Sequence, residues 1–186
     1  MGLHHAFGQE KWQRPIVVID PGHGGTDYGA VGTNGIREKD VVLSVAIEVI
    51  RLNKEMFKDS LEIYSTRYTD TLVSLEDRPK LAKALNADAF VSLHCNWAIG
   101  SRAQGIEVYV KQGNEKAVCL ASLFTIGLNK KLGVRNRGIK YGNFQVLRET
   151  GHFPSVLLEL GFLSNIEEAE HISKKASIVG LSLIHI

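Results

Sequence analysis

Residues 18–25 read Val-Ile-Asp-Pro-Gly-His-Gly-Gly. They close an apolar, β-branched run that begins at Ile16. A short run of that kind, halted by an acid and a proline, predicts a buried strand over Ile16–Ile19 that ends in a turn. The segments that follow set the fold class. Asp40–Phe57 carries apolar residues at Val41, Val42, Val45, Ala46, Val49 and Ile50, the pattern of one helix face. Leu61–Arg67 predicts a second strand, and Leu75–Leu85 a helix with Pro79 near its first turn. Ala89–His94 and Gly105–Val110 predict two more strands. Asn114–Leu132 predicts a helix closed by Gly133. Phe144–Leu147 and Ser155–Leu160 complete the strands, and Ile166–Ala176 predicts a final helix. This alternation implies a single α/β domain. Its sheet should be mixed, mainly parallel and twisted, of about six strands, with helices on both faces.

The composition narrows the class. The chain has 186 residues, 44% of them hydrophobic and 23% charged, enough for one domain with a substantial core. The formal net charge of +2 argues against a dedicated polyanion binder, so no nucleic acid is expected as partner. Two cysteines, Cys95 and Cys119, are too few for a disulfide scaffold. No apolar run approaches the ~18 residues that would span a membrane. Residues 1–14 read as a flexible lead-in with a solvated His4 and His5, and 15–186 as the folded domain. The lead-in contains no apolar stretch of the kind a secretion signal needs.

In open α/β sheets, ligands gather at the carboxyl ends of the strands. Here those ends carry Asp20 to His23, Arg67, His94 to Asn96, and Glu159. A phosphate cradle is excluded. Counted from Gly24, a Walker loop would require Lys where Ala30 stands, and a dinucleotide fingerprint from Gly22 would require glycine where Asp27 stands. The glycines instead permit a sharp turn and leave room beside His23. His23 and His94, at strand ends of one sheet, could share a metal ion. A catalytic zinc takes three protein ligands and leaves one position open. Glu38, just before the amphipathic helix, is the leading candidate for the third; Asp27 and Asp40 compete, and spacing does not choose among them. Glu159 lies in the apolar run Val156–Leu163, where an unpartnered carboxylate is costly. It is either half of a structural salt bridge or a general base beside a metal.

These residues fall within motifs that resemble the catalytic domain of the zinc-dependent N-acetylmuramoyl-L-alanine amidases, the Amidase_3 family. The matching pieces are IDPGHGGTDYGAVGTNGIREKDVVLSVA, STRYTD with Leu75 and Arg78, NADAFVSLHCN, NRGIKYGNFQVLRET and PSVLLELGFLSN, in the family's order across residues 15–175. The resemblance implies that His23, Glu38 and His94 hold one Zn2+ ion and that Glu159 is the catalytic base. It implies cleavage of the amide between the lactyl group of N-acetylmuramic acid and the L-alanine of the peptidoglycan stem, outside the cytoplasmic membrane. Two other functions compete: a zinc peptidase cutting between amino acids, and a wall-binding module without catalysis.

Other residues have weaker claims. Asn96 shares a strand face with His94 and is a candidate for substrate contact, with a turn residue as the alternative. Arg67 and Arg78 are candidates for substrate binding, with structural ion pairs as the alternative. Cys95 should point the other way, into the core. His152 reads as a loop histidine, and His171 and His185 have no evident partners. Only residues 95–158 separate His94 from Glu159, too few for the inserted helix that plugs the cleft in some members. An open cleft is therefore expected; the chain is also expected to be a monomer. The terminal SIVGLSLIHI departs from the family's closing helix and reads as truncated or altered.

Overall fold

The computed structural model describes residues 13–174. The readings of His4, His5, His185 and the terminal SIVGLSLIHI concern residues outside that range. Six strands form one sheet: β1 (Ile16–Pro21), β2 (Glu62–Ser65), β3 (Ala89–Asn96), β4 (Ile106–Val110), β5 (Asn136–Tyr141) and β6 (Ser155–Phe162). Among the described residues four helices intervene, α1 (Glu38–Phe57), α2 (Asp77–Ala84), α3 (Glu115–Leu132) and α4 (Gln145–Arg148), and α5 (Ile166–Ser173) follows β6. The strand order is β2-β1-β3-β6-β4-β5. The first four of these run parallel, β4 lies antiparallel to β6, and β5 runs parallel to β4. The sheet is thus mixed and mainly parallel.

The chain order creates a crevice. From β1 the chain moves outward to β2, then returns across β1 to β3. Parallel crossovers are right-handed, so a reversal of direction puts the two connecting helices on opposite faces. Accordingly α1 packs with Val41, Val42, Val45 and Val49 in one core layer, and α2 contributes Ala82 to the other. The carboxyl ends of β1 and β3 diverge at this switch point, which is where such folds bind ligands. The layer under α1, α3 and α5 is the larger. On the other face the short α2 and α4 cover Val18, Phe90 and Leu157 near the strand starts, and the strand ends beyond them line a cleft.

One expected strand is not a strand. Phe144 precedes the single turn of α4, which buries Val146 and Leu147. Three apolar residues within a run of four, Phe144, Val146 and Leu147, do not distinguish a strand from a helical turn. The fifth strand is instead Asn136–Tyr141, an edge strand whose polar residues give no apolar run. Charged edge strands of this kind guard a sheet against mispairing. Helix α3 begins as expected at an Asn114 cap, whose side chain accepts from Ala117 N at 3.0 Å, and ends at Gly133 with φ 65°.

A buried polar knot fastens the turn after β1. The Asp20 carboxylate is fully buried and accepts from Arg78 Nη1 at 2.8 Å, Ser92 Oγ at 2.7 Å and Thr66 Oγ1 at 2.6 Å. Arg78 also donates to the carbonyls of Pro21 and His23. Arg67, likewise buried, donates to the carbonyls of Pro21, Gly22 and Lys39. Removing one partner from a buried ion pair leaves the other charge uncompensated. Arg78→Met is therefore expected to destabilise the domain by about 3–5 kcal/mol. Equilibrium urea unfolding would show this, and a loss below about 1 kcal/mol, the range of an exposed pair, would refute it.

Candidate metal centre

The first candidate ligand owes its position to an unusual backbone. His23 has φ 59°, in the left-handed region that non-glycine residues seldom occupy. The carbonyl contacts of Arg67 and Arg78 hold the turn in that shape. His94 stands near the end of β3, paired in register with Glu159 of β6. Glu38 opens α1, so its side chain reaches back from the first helical turn, where the dipole favours a carboxylate.

The three meet. One oxygen of Glu38, Oε1, lies 3.1 Å from His23 Nε2 and 2.9 Å from His94 Nδ1. A ligand atom from each of the three residues lies within 4.8 Å of the other two. Ligands of a tetrahedral zinc, each at about 2.0–2.2 Å, are separated by roughly 3.3 Å. Two imidazoles and a carboxylate at this spacing suit zinc in both donor type and distance. The other Glu38 oxygen accepts from Ala30 N at 2.7 Å, and Asp27 Oδ2 lies 2.8 Å from His23 Nδ1. A carboxylate on the far nitrogen fixes the ring and its tautomer, as is usual for metal-binding histidines.

Two glycines make room for this. A Cβ on Gly22 would collide with the His94 imidazole. One on Gly29, where φ is +64°, would lie 2.5 Å from Glu38 Oε2 and 2.6 Å from His23 Cδ2. Their role is to admit the side chains of His23, Glu38 and His94, not to cradle a phosphate.

The electrostatics separate the two glutamates. Burial works against a charge on Glu38, but its hydrogen bonds to His23 and His94 prevail and hold it well below the usual carboxylate range. His23 is correspondingly raised: burial lowers it, and contacts with Glu38 and Asp27 more than compensate. Glu159 goes the other way. Burial, reinforced by the charges of Glu38 and Glu107 and only partly countered by His94 and His23, pushes it up to about 7. Its Oε2 is buried and, among the described residues, has no hydrogen-bond partner.

That shift has a stability consequence in metal-free protein. A carboxyl raised from 4.5 to about 7 on folding binds its proton more tightly in the native state. Its favourable contribution is complete below pH ~4.5 and is lost as the pH rises through 7. Glu159→Gln, which cannot ionise, is expected to gain on the wild type by up to about 3 kcal/mol between pH 5 and pH 8. Urea unfolding of chelator-treated proteins measures the difference; an unchanged difference between the two pH values would refute it.

A cleft of about 800 Å³ opens over His23, His94 and Glu159, walled by Leu72–Leu75 on one side and Phe144–Val146 on the other. A sequence model of the N-acetylmuramoyl-L-alanine amidases, Amidase_3, matches residues 17–180. The chain belongs to this amidase family. It is 38% identical over 161 residues to the probable cell wall amidase LytH of Staphylococcus saprophyticus, covering 86% of this chain and 52% of that protein. LytH of Staphylococcus aureus is 39% identical over 155 residues, covering 82% and 50%. The chain therefore spans about half the length of the curated relatives it matches. Among solved structures, the catalytic domain of the amidase CwlV from Bacillus (Paenibacillus) polymyxa var. colistinus is 37% identical with a TM-score of 0.84, covering 92% of this chain and 93% of that one. An N-acetylmuramoyl-L-alanine amidase from Clostridium difficile 630 is 33% identical with a TM-score of 0.87, each chain covered to 92%.

Within this amidase fold the remaining candidates are placed as follows. Asn96 donates to Glu107 Oε2 at 3.1 Å and so serves a neighbouring strand. Arg67 and Arg78 are 3% and 2% exposed, and their donors go to protein oxygens around the His23 turn. Arg78 does form the ion pair considered for it, whereas Arg67 is held by carbonyls. Cys95 lies in the core on the opposite face from His94, and its N–H donates to Glu38 Oε1 at 2.9 Å. His152 and His171 are exposed. The residue reading missed Glu107, which faces Glu159 across the β4–β6 pair. Its signal was a lone acid in the run Ile106–Val110.

Proposed function

We propose that this domain hydrolyses the amide between the lactyl group of N-acetylmuramic acid and the L-alanine of the peptidoglycan stem, using one zinc ion. Support comes chiefly from Glu159: a half-buried carboxylate whose Oε2 has no hydrogen-bond partner among the described residues, in the same cleft as a converging His-Glu-His set, in a chain of this family. A module that only bound the wall would have no use for such a group.

His23, Glu38 and His94 would hold the zinc. When bound, the ion supplies a Lewis acid that polarises the amide carbonyl and makes hydroxide available near neutral pH. Asp27 keeps the His23 imidazole oriented throughout. The Glu159 carboxylate, which lines the cleft, takes a proton from the attacking water. The protonated carboxyl then delivers that proton to the departing alanine nitrogen, so the leaving group is a neutral amine.

The expected setting is outside the cytoplasmic membrane, where peptidoglycan lies. No helix among the described residues is long and apolar enough to cross a membrane. The proposal includes a monomer whose cleft needs no displacement of an internal helix.

Digestion of purified muropeptides followed by mass spectrometry tests the reaction. Expected products are glycan with a free lactyl carboxyl and an intact stem peptide beginning with alanine. Cleavage between two amino acids would instead establish a peptidase.

A further inference from the structure

A charged cluster lies beside the reacting groups, and the mechanism above leaves it unused. Glu107 of β4 is 2% exposed and sits opposite Glu159 in register. Its Oε1 accepts from Arg137 Nε at 2.5 Å and Lys140 Nζ at 2.7 Å, both from β5. Its Oε2 accepts from Asn96 Nδ2 and Tyr109 Oη. Burial opposes its charge, but the bonds from Lys140, Arg137 and Tyr109 more than offset that and hold it below the usual carboxylate range.

The count of charges is uneven. Two cations meet one carboxylate, so the cluster keeps one positive charge. Both cationic side chains remain partly open, Arg137 at 30% and Lys140 at 39%. Lys140 has further ammonium hydrogens, and Arg137 Nη2 has no bond among the described residues. The Arg137 guanidinium carbon also lies 5.0 Å from the Phe162 ring centroid, within range of a cation–π contact. A buried anion thus fixes two cations on the sheet face that carries Glu159, with donors to spare. That arrangement completes itself with a second carboxylate.

We propose that Arg137 and Lys140 form a subsite for the free carboxylate of the first acidic residue after alanine in the stem peptide. The inference rests on the amidase reading above and adds to it the recognition of the leaving group. Chemistry assigns the anion to the peptide: once the lactyl carboxyl is in the amide, the glycan side has no free carboxylate there. Distance assigns it to an early residue. The two cationic heads reach back to Glu107, one strand from Glu159, which is about 4.8 Å across the sheet. An extended residue advances about 3.3 Å, so the subsite lies one to two residues beyond the cleaved bond. Glu107 is then a positioning residue, acting through the two cations it holds.

The test compares two muramoyl tetrapeptides that differ in one group: D-isoglutamate or D-isoglutamine as the second residue. The zinc-loaded wild type is expected to cleave the carboxylate form with kcat/KM about 10-fold higher, expressed mainly in KM. In Lys140→Met and Arg137→Met the ratio between the two substrates should fall towards one. Taking the ratio within each variant cancels any difference in its folded fraction. If the wild type cleaves both substrates equally well, or if both variants keep the wild-type ratio, the subsite is refuted and the amidase reaction stands. If the wild type cleaves neither, the amidase reading fails and the subsite with it.

Discussion

Replacing Glu159 with glutamine is expected to lower turnover of wall substrate by about 10²- to 10⁴-fold, the range typical of a lost general base. Glutamine keeps the size and shape of the side chain but cannot take a proton from water. Glu159 is not among the three proposed ligands, so zinc content should remain at one ion per chain. The two measurements together separate proton transfer from metal binding. Clearance of purified cell walls, followed by turbidity, gives the rate, and elemental analysis gives the metal. A variant that clears walls as fast as the wild type would remove Glu159 from the mechanism. Loss of zinc along with activity would reassign it as a ligand.

His94→Ala is expected to have the opposite signature. It removes one of three ligand residues and leaves Glu38 Oε1 facing His23 alone. Two protein ligands fall short of a catalytic zinc site, so zinc content should drop from one per chain towards zero. Wall clearance should fall to that of chelator-treated wild type. The fold should survive, because His94 is half-buried at the cleft and the hydrophobic residues flanking it, Leu93 and Cys95, face the other core layer. Circular dichroism would check that point. Full zinc occupancy in a folded His94→Ala protein would overturn the proposed ligand set.

Particular elements show how far the sequence could be read. Strands β1, β3 and β6 were legible because each is buried on both faces and so appears as a continuous apolar run. Strand β5 was not. It lies at the sheet edge, and its Arg137 and Lys140 serve Glu107 rather than the core. Phe144–Leu147 misled for the converse reason, since its apolar residues fill the gap beside Phe90 and Leu157 from a single helical turn. Helix α1 starts two residues earlier than its apolar pattern suggests. The difference matters, because it puts Glu38 in the first turn with its side chain directed back to the site.

By itself the sequence determined the α/β alternation, the soluble composition and the set of chemically capable side chains at strand ends. Its motifs carried a family resemblance that assigned Glu38, over Asp27 and Asp40, as a ligand. Those properties are local, written in periodicity and residue type. Only the tertiary structure decided what each acid does. It sets Glu38 between two imidazoles, Asp27 behind His23, and Asp40 against Arg37 on the surface. It left Glu159 Oε2 without a partner while surrounding Glu107 with four donors. Both glutamates look alike in sequence, a lone acid in an apolar run. Their difference comes from which strands lie alongside, and strand order is a long-range property that no local pattern encodes. The same holds for VIDPGHGG: its glycines look like a flexible turn until the His94 ring, 71 residues from His23 in the chain, is found packed against Gly22.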